Sequence, residues 1–153
     1  MQLCEVFLNF NEDDFAALVR GISLGKLRTY QMYDAFKARA HLSKLNTDTL
    51  RRATPRLRER LAGGDEELAK DLAQAILLSH LDMIPAVLDF LGIPHENGFF
   101  AKGLDPSPYL QPGWQQRVFD EFKGKFPTNI LLLYINHLAW ELDKPAACFR
   151  PQA

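Results

Sequence analysis

Cysteine is scarce in this 153-residue chain: only Cys4 and Cys148 occur, near opposite ends. Two thiols build no disulfide framework, and neither has a second cysteine close by to form a zinc half-site. Long apolar runs are also missing. The longest, from Ile130 to Leu142, is interrupted by Asn136, His137 and Glu141 and falls short of the ~20 residues that span a bilayer. The N-terminus shows neither a basic n-region nor a small-residue cleavage site, so no secretory signal is read. The expectation is a soluble, cytoplasmic chain with free thiols, no membrane partner, no cofactor and no metal. The common signatures of catalysis are absent too: no P-loop, no GxGxxG after a strand, no GxSxG elbow, no HExxH, no EF-hand pattern. This leaves the balance against an enzyme without excluding one. No repeat at a 20–50-residue period and no low-complexity tract occur, and no run has an evident strand partner with a hairpin turn.

What is present is helical periodicity. Hydrophobic content of 47% and charge of 24% are ordinary globular values, and the length suits one domain over 1–153. Leu3, Val6, Phe7 and Phe10 share a helical face, although residues 1–10 could equally be an extended arm. Asn11 is a good N-cap, Glu12, Asp13 and Asp14 suit the positive end of a helix, and Phe15, Leu18, Val19 and Ile22 form its stripe. A second helix is predicted from Lys26 to about Ala40. A third begins at Asn46 or Thr47, with Pro55 either inside it or dividing it in two. Asp65 caps the longest predicted element, running to Leu91 with a bend at Pro85. Residues 92–113 are rich in proline and glycine and read as a long loop. Two helices follow, from Trp114 and from Thr128 to about Leu142, and the tail 144–153 is irregular. The fold class is all-α, an irregular bundle of six or seven helices with that long Pro/Gly-rich loop before the last two.

Candidate functional residues fall into two sets. His80 lies mid-face on the predicted 65–91 helix, where an imidazole needs a hydrogen bond or a ligand; a core histidine is the blander reading. His95 and Glu96 sit in the long loop. Trp114, Tyr134, His137 and Glu141 follow it, the last two spaced i, i+4 on one face. Together these could line a small-ligand or cofactor pocket lidded by residues 95–110. A loop plugging the bundle is the alternative. The second set is basic: Arg51, Arg52, Arg56, Arg58 and Arg60. From Lys26 to Arg60 ten Lys/Arg face three acids, whereas the rest of the chain carries eight against sixteen. Such asymmetry points to an acidic or nucleic-acid partner or to self-association. The five arginines, however, spread around the helix, against a groove-reading surface. The leading expectation is a non-enzymatic interaction or regulatory module, with self-association as a homodimer one form of it; a small-ligand protein comes second and nucleic-acid binding third.

Overall fold

The computed structural model describes residues 1–152; the end of the predicted irregular tail, Ala153, lies outside them. The described residues form nine α-helices and a short π-helical turn, so the all-α class holds. The chain divides into two compact units, Met1–Ser79 and His80–Ala153.

The first unit holds α1 (Leu3–Leu8), α2 (Glu12–Arg20), α3 (Leu24–Thr29), α4 (Tyr33–Arg39), α5 (Thr47–Ala62) and α6 (Glu66–Leu78). The N-terminal segment is thus helical rather than an extended arm. Its start is held from outside: the carboxylate of Glu66 accepts from the Leu3 N–H at 2.6 Å and the Cys4 N–H at 3.2 Å, satisfying donors that a helix cannot satisfy itself. The predicted caps are in place. Asn11 Oδ1 accepts from the Asp14 N–H at 2.7 Å, Asn46 Oδ1 from Thr49 at 2.8 Å and Asp65 Oδ1 from Leu68 at 3.1 Å. α5 packs on α1, α2 and α6, and α6 packs on α1, α3 and α4 as well. Phe7, Phe15, Leu18, Leu57, Leu61, Leu68 and Leu72 are fully buried between them, each worth roughly 1.5–3 kcal/mol.

Two helix assignments differ from the sequence reading, and one open alternative is decided. The 26–40 segment is two helices, because Gln31 takes a left-handed φ of 59°, a conformation for which its residue type gives no warning. α5 is continuous through Pro55, with Thr54 inside the helix rather than capping a new one. The 65–91 helix is instead α6 and α7 (Met83–Leu91) with a turn at 79–82. There the Ser79 carbonyl accepts from Lys26 Nζ at 3.2 Å while its hydroxyl accepts from the Ser23 N–H at 2.7 Å and donates to the Ala75 carbonyl at 2.9 Å. Pro85 consequently sits in the first turn of α7, where a missing N–H costs nothing, and bends no long helix. Asp71 is buried rather than solvent-facing and pairs with Arg39 Nε at 2.8 Å.

The second unit holds α7, α8 (Trp114–Phe122), α9 (Thr128–Leu138) and the π-helical turn Ala139–Asp143. α8 packs on α7 and on α9, whose Ile130, Leu131, Leu133, Tyr134, Ile135 and Leu138 are buried, as its all-round apolar sequence implies. The first of several turns in the loop after α7 is a tight reversal. Glu96 and Phe99 exchange backbone hydrogen bonds of 2.8 and 3.0 Å around Asn97 (φ 53°) and Gly98 (φ 92°), the Asn-Gly dipeptide that a two-residue reversal favours. No single helix among the described residues is long and apolar enough to cross a membrane.

Candidate functional site

In the first unit a groove of about 500 Å³ opens between α2 and α5. Its apolar floor comes from Leu8, Phe15, Ala16 and Ala62. Val19 and Ile22 share a neighbouring cavity of about 10 Å³ with Thr47, Leu50 and Arg51, so the end of α2 meets the start of α5 and the two helices run in opposite senses. That direction sorts the charges. Arg20 and Arg51 border both cavities at one end, whereas Glu12 and Asp13, from the first turn of α2, and Glu59, near the end of α5, line the other. The acids are where the positive end of the α2 dipole favours them, and Arg20 closes its negative end. The helix that builds the groove therefore also polarises it.

One buried polar group in the wall lacks a partner. Arg58 donates through Nη2 to the Phe10 carbonyl at 2.9 Å and its guanidinium carbon sits 5.5 Å from the Phe15 ring centre. Its Nη1 is buried with no hydrogen-bond partner, a costly condition for a charged donor. Pro55 has no N–H, so the Arg51 carbonyl one turn earlier lacks its helical donor. Thr54 turns its hydroxyl back to the Leu50 carbonyl at 3.1 Å.

Of the five arginines named from sequence, Arg51 and Arg58 line this groove. Arg60 is engaged by the Asp65 carboxylate and the Arg39 carbonyl, and the backbone N–H of Leu68 together with Arg60 holds Asp65 below the usual carboxylate range. Arg52 folds back to the Asp48 carbonyl at 3.4 Å, and Arg56 is exposed. The arginines that sequence places together are thus divided among separate tasks.

In the second unit His80 is half-buried in the turn before α7, not on a continuous helix face. His95 fastens the Asn-Gly turn: Nδ1 accepts from the Gly98 N–H at 3.0 Å and Nε2 faces Asp89 Oδ1 at 2.7 Å, so Nε2 carries the proton of the neutral ring. The Glu96 side chain is exposed. Trp114 is buried and donates Nε1–H to Asp143 at 3.2 Å. Tyr134, His137 and Glu141 do come together along one strip running from α9 into the π-helical turn. His137 Nδ1 lies 3.8 Å from Glu141 Oε2, and its ring is 5.6 Å from that of Trp140. Burial lowers the His137 pKa to about 4 and lifts the Glu141 carboxyl above its usual range. Burial, and then the Glu141 charge, raises the Tyr134 phenol. The strip holds a neutral imidazole beside a reluctant carboxylate, a pair able to exchange hydrogen bonds with a polar guest but too far apart to bond each other.

Sequence reasoning missed Glu12, Asp13, Arg20 and Glu59 as groove residues. Their helical positions were readable; the packing of α2 on α5 was not. Asn136, 3% exposed, was also missed. A polar residue inside an otherwise apolar helix is the signal that marks it. Compared with known protein families, with curated proteins and with solved structures, the chain matches none of them.

Proposed function

We propose that the chain is a non-enzymatic interaction module whose α2–α5 groove takes a short amphipathic segment of a partner protein. The observation that carries this reading is the charge order along an apolar floor: Arg20 and Arg51 at one end, and Glu12, Asp13 and Glu59 at the other, where the Arg58 cation is already tied to the Phe10 carbonyl. A segment with an apolar face, an acidic residue at one end and a basic residue at the other matches that order in a single direction. Complementary charge sets direction and association rate, and apolar contact supplies affinity. α2 is nine residues long, about 13 Å at 1.5 Å per residue, which fits two to three turns of a docked helix. The Arg51 carbonyl, which Pro55 leaves without its helical donor, adds an acceptor for the occupant's polar groups.

The test uses a display library of twelve-residue peptides selected on the full-length protein and counter-selected on the Arg20→Glu/Arg51→Glu variant. Recovered peptides are expected to carry an acid and a base at opposite ends of an apolar stripe. They should bind the variant roughly tenfold more weakly, and weaken as salt screens the end charges. Selected peptides indifferent to both charge reversal and salt would rule the groove out as the site.

A second reading rests on the Tyr134–His137–Glu141 strip: a small polar guest held in the second unit. His137→Leu separates the two, since a guest there would be lost while groove binding stays unchanged. Nucleic-acid binding ranks third, because Arg58 and Arg60 are committed to contacts within their own unit.

A further inference from the structure

The last residues of the described chain are held in an unusual way. Asn136, buried in α9, accepts from the Phe149 N–H through Oδ1 at 2.7 Å and donates through Nδ2 to the Phe149 carbonyl at 3.4 Å. Nδ2 also donates to the Leu132 carbonyl at 3.0 Å, which fixes the carboxamide from behind. Three residues further on, Gln116 of α8 accepts from the Gln152 N–H through Oε1 at 2.9 Å. Cys148, Phe149 and Pro151 are half-buried along this stretch.

One carboxamide can meet the N–H and the carbonyl of a single residue only when that residue's backbone is extended and turns both groups to the same side, as a strand does toward its neighbour. Asn136 therefore does the work of a neighbouring strand, and Gln116 repeats half of it. Both contacts read main chain and ignore side-chain identity, the mode by which extended peptides are recognised at sheet edges. The segment they hold follows a π-helical turn that ends at Lys144 with φ 48°, and then Pro145, Ala146 and Ala147, which belong to no helix.

We infer that the α8–α9 face is a binding site for an extended peptide backbone, occupied in cis by residues 148–152 and able to take the same segment from a second copy of the chain. This site is independent of the groove. The donors and acceptors are identical in both arrangements, so exchange between copies costs no contact and closes as a symmetric pair. The cis segment wins in the isolated chain because its tether gives it a high effective concentration.

The test removes the tether after folding. A full-length chain with a protease site in place of residues 145–147 is folded, cut, and offered a fluorescent peptide of residues 145–152. Saturable uptake of the peptide, competed by the unlabelled one, is the expected result. N-methylation of the peptide at the Phe149 nitrogen should weaken uptake about tenfold or more, whereas Gln152→Ala in the peptide should change it by less than about twofold. These peptide changes leave the protein untouched, so a folding defect cannot imitate them. If no peptide binds after cutting, or if the N-methylated peptide binds as well as its parent, the proposal is overturned.

Discussion

His137 and Gly98 show how single residues set measurable behaviour. The imidazole of His137 titrates near 4 in the folded chain because burial disfavours its charge, against an ordinary value of 6.5. Between those values the unfolded chain takes up a proton that the folded chain refuses. Stability is therefore fully present above about pH 6.5 and falls as the pH drops toward 4, by on the order of 3 kcal/mol. Glu141 acts in the opposite sense. Its raised pKa gives a contribution kept at low pH and lost as the pH rises through its folded value, reduced by solvent at 44% side-chain exposure. Melting temperatures between pH 4 and 7 should accordingly rise with pH, and the slope should flatten in His137→Leu. Gly98 is constrained twice. Its φ of 92° suits glycine, and a Cβ there would stand 3.0 Å from Ile84 Cγ2. Gly98→Ala should cost about 1–3 kcal/mol, read as a lower urea midpoint with an unchanged slope.

Among the elements, α5 makes the sharpest prediction. Pro55 weakens the helix by removing a hydrogen bond, so Pro55→Ala should raise the melting temperature, with a gain of up to about 3 kcal/mol. The same change supplies the Arg51 carbonyl with a donor and should weaken occupants of the groove that use it. Stabilisation together with unchanged peptide binding would show that the carbonyl takes no part. The helices were legible where local chemistry governs them: the Asn11, Asn46 and Asp65 caps, the Gly92 stop with its φ of 78°, and the apolar stripes. They were illegible where a distant residue decides. Gln31 adopts a left-handed conformation that nothing near it announces, and α6 ends where Ser79 is claimed by Ser23 and Lys26, more than fifty residues away. The Asn97–Gly98 turn was legible and overlooked, since its flanking residues lack strand-like alternation. Of the candidate site residues, only the nearness of His137 and Glu141 followed from helical spacing; Tyr134 was named as a pocket residue without a place on that face. The groove did not follow from it, because it exists only once α2 lies across α5.

At the scale of the whole molecule, the charge asymmetry of the sequence largely dissolves inside one unit. Residues 1–79 carry twelve Lys/Arg against eleven Asp/Glu, and the basic stretch folds against acidic helices, with Arg39 on Glu67 and Asp71 and Arg60 on Asp65. The full-length protein should therefore elute from heparin at low salt. Neutralising Arg51, Arg52 and Arg56 together should move that elution little; a large shift would revive the nucleic-acid reading. The Glu66 clasp on the start of α1 has a chemical consequence of its own. Burial first, and then the Glu66 carboxylate, lift the Cys4 thiol to about 12, so at neutral pH it holds almost no thiolate and resists alkylation and oxidation while α1 stays in place. Each modification of Cys4 then records one opening of the first unit. Its labelling rate, followed by mass spectrometry at rising urea, turns a silent sulfur into a clock for how often that unit comes apart.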